Sequence, residues 1–354
     1  MTTITVLHAL DYPAEKPGSF IAGIEALAAR LQDDYRVRSV VTLPLRSFSK
    51  PWSRRLADRG IVTIGTSSYS QVIHSIRLYK PAVIHAHFSG YTVPATLAAL
   101  AREAKVFWHI HSKLESPRSA LKRAARTMKF AGLARRTDGV FAVSTALCAS
   151  LVAAGIAPGK ISVVANGVDF DYFREPDERE RRDARRLFGI GENERTILFF
   201  GRDGHVKGAD FLAAALRERS QPVTVLCVAS PTAVTGLFAP HVRVIDAGTL
   251  QDVRPAMWAS DLLAMPSRTE GLPLALLEAR GTGLPAVVSQ IEAFESFCSQ
   301  DRATVRAGAE NPRAFADALF AELPSPRVAL SVPVRHAHSL ATWANRIIQA
   351  YGFT

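Results

Sequence analysis

Ser267-Arg268-Thr269-Glu270-Gly271-Leu272-Pro273-Leu274-Ala275-Leu276-Leu277-Glu278-Ala279 decides the reading of the chain. The apolar run Leu262 to Met265 precedes it, the pattern of a strand buried on both faces of a parallel sheet. Pro273 stands where a helix should begin, its φ preset and no N–H to satisfy. From Leu274 the residues are apolar and helix-forming until Gly281 and Gly283 stop them. The unit is therefore strand, loop and helix, with one acidic residue in the loop and another inside the helix. The free N–H groups of the first turn, backed by the helix dipole, make an anion site. Gly271 lets a phosphate approach the backbone. Glu278 lies five residues past Pro273, about 7.5 Å along the axis at 1.5 Å per residue. That is close to the span of a diphosphate, so Glu270 and Glu278 can meet hydroxyls on either side of one. A nucleotide-sugar has that shape.

Pro266-Ser267, Glu270-Gly271-Leu272-Pro273 and Glu278-Ala279 together resemble the signature of glycosyltransferase family 4, the retaining enzymes of GT-B fold. The resemblance covers most of residues 3–290. It implies an α/β protein of two doubly wound, Rossmann-like domains facing across a cleft, with strand C-terminal ends pointing into it. The expected first domain is residues 1–174, for the acceptor. The expected second is residues 175–338, for the nucleotide-sugar, with a final helix over about 339–354 returning to the first. The domain boundary is placed in the charged stretch Glu175 to Arg186, which has no hydrophobic seam and reads as a linker and helix start.

Other segments match the family pattern in order. After the strand Thr196 to Phe200 come Gly201-Arg202 and Lys207-Gly208, which look like its phosphate clamp. Arg202 would offer a fork and Lys207 a point charge to the distal phosphate. Gly18-Ser19 stands where the family usually carries two glycines after the first strand. His111-Ser112 ends the strand from Lys105 and resembles the position beside the transferred sugar. His109 points the same way by strand alternation, but His111 lies nearer the cleft. His85 and His87 read as packed imidazoles at a strand end. Asn166-Gly167-Val168-Asp169 resembles the turn before the interdomain linker. The sequence departs from the family at Gln290 to Glu295, where a Gly-rich segment is usual.

The implied activity is retaining transfer of a hexosyl unit from a UDP- or GDP-linked sugar to a glycan or lipid-linked acceptor, as in surface polysaccharide or glycolipid synthesis. The implied catalytic residues are His111, Glu270, Arg202 and Lys207. The donor would also meet Gly18, Ser19, Gly201, Gly271, Leu272, Pro273, Leu274 and Glu278. No Asp-x-Asp motif marks a metal site, so no essential cation and no cofactor are expected. A GT-B nucleotide-sugar epimerase would share these motifs. A nucleic-acid or polyanion binder would explain the charge but not the phosphate motifs, and no nucleic-acid module is recognisable.

Composition agrees with a globular chain: 354 residues, 48% hydrophobic and 21% charged, enough for two domains. Cys148, Cys227 and Cys298 are scattered in apolar contexts, which suggests a reducing compartment. The N-terminus reads as a strand rather than a signal peptide, and no apolar run approaches the roughly 20 residues of a spanning helix. A cytoplasmic protein, peripheral on the inner face of the membrane, is the expectation. The charge is one-sided. Residues 1–174 hold 23 Lys and Arg against 11 Asp and Glu, and residues 175–354 hold 20 against 21. Arg46, Lys50, Arg54, Arg55 and Arg59 form one basic group. Arg118, Lys122, Arg126 and Lys129 recur at helical spacing and form another, with Leu121, Met128 and Phe130 interleaved. An acidic acceptor or an anionic membrane surface is the expected partner.

Overall fold

The computed structural model describes residues 4–100, 103–113, 119–229, 232–308 and 310–353. The chain divides into two compact units, one of Met1–Gly167 with Leu340–Thr354, the other of Val168–Ser339.

The first unit holds seven strands: β1 (Thr5–Leu10), β2 (Arg38–Pro44), β3 (Val62–Thr66), β4 (Val83–His87), β5 (Lys105–Ile110), β6 (Gly139–Ala142) and β7 (Ile161–Val163). All pair in parallel, in the order β3-β2-β1-β4-β5-β6-β7. Their near-continuous apolar character follows from burial on both faces. The order reverses between β1 and β4, and in such sheets ligands bind beyond the strand C-termini at that point. The helix Gly18–Tyr35 follows β1 and buries Ile21, Ile24, Leu27, Ala28 and Leu31, one stripe at three- and four-residue spacing. The helix Leu340–Tyr351 belongs to this unit. A Cβ on Gly23 would lie 3.3 Å from the Trp343 ring, so glycine there lets the two helices close up. Tyr351 Oη lies 2.6 Å from His85 Nδ1, and Lys105 Nζ donates to the Tyr351 carbonyl at 2.8 Å.

The second unit holds β8 (Thr196–Phe200), β9 (Val223–Val228), β10 (Val242–Asp246), β11 (Leu262–Met265), β12 (Ala286–Ser289) and β13 (Thr304–Ala307). They are parallel, in the order β10-β9-β8-β11-β12-β13. Here the reversal falls between β8 and β11, the two strands that lead into Gly201-Arg202 and Pro266-Ser267.

The units divide at Gly167 and Val168, ahead of the charged stretch expected to hold the boundary. Phe170 and Phe173 already pack in the second unit, where a Cβ on Gly281 would come within 2.7 Å of the Phe173 carbonyl. Of the linker and helix start expected in the charged stretch, the helix start is present. The stretch forms the helix Glu178–Leu187, opened by a capping box between Asp177 and Glu180. Arg181 donates to the carbonyls of Trp258 and Ser260 at 2.7 and 3.0 Å, and Arg185 to that of Ala259 at 2.7 Å. Two guanidinium groups thus satisfy the carbonyls at the end of the helix Arg254–Ala259, where cations also meet the negative end of the dipole.

Candidate functional site

In the second unit the loop after β8 and the loop after β11 are locked together. Gly208 has φ +74°, and a Cβ there would sit 2.0 Å from the Pro266 carbonyl oxygen. Only glycine accepts both the left-handed backbone and that approach. Arg268 N–H donates to the Val206 carbonyl at 2.9 Å, and the Arg268 guanidinium forks onto Asp210 at 2.8 and 2.7 Å. The lock brings Lys207 Nζ to 2.5 Å from Glu270 Oε1. Ser267 Oγ donates to the same oxygen at 2.9 Å, and Ser289 Oγ holds the Ser267 carbonyl at 2.5 Å. Lys207 and Glu270, read from sequence as contacts to different parts of a ligand, are one ion pair. Their side chains are 27% and 10% exposed, so the pair is largely shielded but open on one side. Arg202 is exposed and makes no ion pair with another described residue.

Pro273 is the residue before the helix Leu274–Gly281 rather than its first residue, with φ −71° and ψ 129°. Proline cannot cap with its side chain, so the helix start carries no side-chain cap at Pro273. Gly271 and Leu272 are buried beside that turn, Pro273 and Leu274 half-buried, and Glu278 is 8% exposed inside the helix. Arg280 is fully buried and forks onto Asp301 at 2.6 and 3.1 Å, which fixes the far end of the helix.

In the first unit five imidazoles share one face of the sheet. The register places His8 of β1 beside His85 of β4, and His87 beside His109 of β5. His111 follows by strand alternation. Ring centroids of His85 and His87 are 3.9 Å apart, and those of His109 and His111 4.3 Å. His8, His85, His87 and His109 are fully buried; His111 is half-buried. Burial lowers all five: His8 to about 4, His111 to about 3, and His85, His87 and His109 well below the usual imidazole range, with the neighbouring rings as a smaller cause. His111 packs edge-on against Phe20 at 5.1 Å, one residue after Ser19. Gly18 opens its helix at φ +55° and Ser19 is buried, so the Gly18-Ser19 loop and His111 meet at the reversal point of this sheet. Sequence reading singled out four of the five histidines and missed His8, whose only signal was its phase in β1.

A cavity of about 360 Å³ opens in the same unit, lined among others by Asp11, Arg46, Thr66, Ser68, Tyr69 and Tyr91. Tyr91 Oη and Thr66 Oγ1 are hydrogen-bonded at 3.0 Å, and burial raises the Asp11 carboxyl above its usual range. Of these residues only Arg46 was singled out from sequence, as one of a basic group; the lining comes from four separated stretches of the chain.

The basic groups are less free than their count suggests. Arg55 and Arg59 both bridge to buried Glu25, at 2.7 and 3.7 Å, and Lys50 pairs with Glu15. The helix Ala120–Ala134 carries exposed Leu121, Met128 and Lys129. Phe130 instead packs edge-on against Trp108 at 5.8 Å. Arg118 and the side chains of Lys122 and Arg126 lie outside the described residues. Among the described residues no helix is long and apolar enough to cross a membrane.

Two family models match: the Glycosyltransferase Family 4 domain over residues 25–172 and the Glycosyl transferases group 1 domain over residues 194–323. The chain belongs to the GT4-type glycosyltransferase family. It is 31% identical to a D-inositol 3-phosphate glycosyltransferase of Corynebacterium urealyticum over 179 residues, 45% of this chain and 42% of that protein. A relative of the same name from Jonesia denitrificans is 28% identical over 52% of this chain and 49% of its own length. The chain thus spans less than half the length of each of these two relatives. Among solved structures, a glycosyltransferase from Rickettsia africae superposes with a TM-score of 0.79 at 17% identity, covering 99% of this chain and 98% of that one. Anabaena Alr3699/HepE in complex with UDP and glucose gives 0.79 at 17% identity, covering 99% of each chain. These likenesses define the fold, GT-B with two Rossmann-like domains.

Proposed function

We propose that this chain transfers a hexosyl unit from a nucleoside diphosphate sugar to a glycan or lipid-linked acceptor, with retained anomeric configuration and no divalent metal in the chemical step. The observation that carries this reading is the junction at β8 and β11: an exposed Arg202, a shielded Lys207–Glu270 pair and a helix start without a side-chain cap. Such a set suits a diphosphate, with Arg202 and Lys207 on the phosphates, Glu270 on sugar hydroxyls and Glu278 on ribose. The name of the Anabaena complex, with UDP and glucose, supports a donor of this class. In the transfer, the bond from the anomeric carbon to the diphosphate breaks while the acceptor oxygen bonds to that carbon on the same face. The acceptor proton goes to the leaving phosphate, whose growing charge the fixed cations stabilise. His111 lines the reacting face. The acceptor occupies the hydroxyl-rich cavity beside Asp11, Arg46 and Tyr91. Its polarity suits a polyol, and the relatives' name makes inositol phosphate one candidate to assay.

A thermal-shift panel of nucleotide-sugars tests the reading. The true donor at 100 times its Kd should stabilise the protein by about 2.7 kcal/mol. Turnover with that donor should be unchanged after chelator dialysis; activity lost there and restored only by Mg²⁺ or Mn²⁺ would refute the metal-free step. An acceptor-free reaction that isomerises the donor sugar would make the chain an epimerase instead.

The acceptor would be met at an anionic membrane surface, the chain standing on its cytoplasmic side. The charge split of the two halves supports this, with exposed Leu121 and Met128 beside Lys129. Each cation near such a leaflet is worth about 1 kcal/mol. Co-sedimentation with anionic vesicles should fall at high salt, and should fall again when Arg118, Lys122, Arg126 and Lys129 become Gln. Binding that survives those four changes would clear this helix of the role.

A further inference from the structure

We propose that His87, His109 and His111 form a binding site for a borderline divalent transition metal such as Zn²⁺ or Co²⁺. Each residue offers a ring nitrogen, and the three nitrogens lie within 4.8 Å of one another. The chain path explains why. His87 and His109 are register partners on adjacent parallel strands, and His111 is two residues further on the same face. His87 Nδ1 and His111 Nε2 are hydrogen-bonded at 3.3 Å, so one of the two carries a proton that a metal would displace, by a shift of tautomer or release to solvent. Zinc–imidazole bonds run about 2.0–2.1 Å, and the edge of a tetrahedron with such arms is about 3.3 Å.

The protonation of His109 suits ligation as well. His109 Nε2 lies 3.3 Å from the Val164 carbonyl oxygen. A carbonyl only accepts, so Nε2 carries the proton and Nδ1 keeps its lone pair. That Nδ1 is buried and has no hydrogen-bond partner among the described residues. A carbonyl behind one ring nitrogen, fixing the other for a metal, is how ligating histidines are usually oriented. His111 is held in the same way by a hydrogen bond with the Asn166 side chain. An unpaired polar atom buried in the core costs free energy, and ligation would recover it. The donor set is imidazole alone, with no carboxylate, which favours zinc, cobalt or nickel over magnesium or calcium. His111 is half-buried while His87 and His109 are fully buried, so an ion enters from the His111 side and a fourth position faces solvent. Three protein ligands and one open position is the pattern of accessible rather than closed zinc sites. The three histidines all belong to the first unit, and the test does not depend on sugar transfer.

The test is a Co²⁺ titration of the chelator-stripped full chain at neutral pH, read by visible absorption. One equivalent should bind and give the intense bands of a four-coordinate ion. His109→Gln and His111→Gln should each weaken binding by more than about 100-fold, beyond the 10–100-fold that loss of an outer-shell partner brings. His74→Gln, exposed elsewhere in the same unit, should change nothing. Circular dichroism checks that each variant folds. Should His109→Gln fail to fold, the half-buried His111→Gln carries the comparison, with X-ray absorption of the Zn²⁺-loaded chain expected to show three imidazole nitrogens at about 2.0 Å. No binding by the unaltered chain, a six-coordinate oxygen-type spectrum, or binding that survives loss of His111 would each overturn the proposal.

Discussion

Acidification from pH 7.5 to 5 is expected to destabilise the first unit steeply, because its five clustered histidines are folded in their neutral form. Burial sets the direction. His8 is fully buried, and its folded value is pushed down to about 4 from an ordinary 6.5. Between those two values the unfolded chain binds a proton that the folded chain refuses, so stability rises with pH across that window and falls as pH drops through it. Above about 6.5 neither state is protonated and the stability is fully present. For His8 alone the loss is about 2 kcal/mol by pH 5 and about 3 by pH 4. His85, His87 and His109 shift in the same direction for the same cause. Several such losses rival the 5–15 kcal/mol that a domain has in total. Thermal melts of chelator-treated protein from pH 8 to 5 should therefore show the melting temperature dropping below pH 6.5. His8→Leu, a swap of similar volume that removes one titrating group, should flatten the slope by about 1.4 kcal/mol per pH unit. A melting temperature that stays level between pH 7.5 and 5 would show that the cluster is hydrated or already charged.

The same physics explains what could be read from the sequence. Strands buried on both faces write themselves as apolar runs, so the alternation of strand and helix was legible from β1 to β12, while the strand order that sets Gly201 and Ser267 at a reversal point was not. β13 was not: Thr304-Val305-Arg306-Ala307 is a four-residue edge strand with a charge in it. The stretch Glu175 to Arg186 was read as a linker and helix start; the helix start held, but its docking was hidden, because Arg181 and Arg185 bind carbonyls and such bonds leave no apolar periodicity. Pro273 was placed one residue too far into its helix, an offset that the cap geometry alone resolves. The Glu270 and Lys207 motifs were visible one by one. Their pairing joins positions 63 apart in sequence through a turn that only Gly208 permits, and neither spacing nor composition reports it. His8 escaped for a related reason. A single histidine in an apolar strand gains meaning only when the register sets it beside His85.

That pairing shapes the other large effect. Lys207→Ala is expected to lower kcat/KM for sugar transfer by about 10²–10³-fold, some 3–4 kcal/mol, the scale of losing one preorganised charge contact in a transition state. Two separate losses would feed into that figure. Without Lys207, Glu270 keeps only the Ser267 hydroxyl as a side-chain partner among the described residues, in a site where it is 10% exposed. A largely buried carboxylate deprived of its cation is destabilised and prone to move. The second loss is the cation offered to the departing phosphate. A cycle of Lys207→Ala, Glu270→Gln and the double variant separates the two. If Lys207 only holds Glu270 in place, its removal should cost little once Glu270 is already neutral. If Lys207 also meets the phosphate, most of the cost should persist in the Glu270→Gln background, and inhibition by the free nucleoside diphosphate should weaken in parallel. Arg202 lacks any such partner among the described residues, so Arg202→Ala should weaken donor and nucleotide binding without disturbing the fold. Melting curves taken alongside keep the readings apart, since a structural loss lowers the melting temperature and a purely electrostatic one does not. Unaltered turnover in Lys207→Ala would remove this lysine from the reaction altogether, and with it the case for a protein cation doing the work of a metal ion.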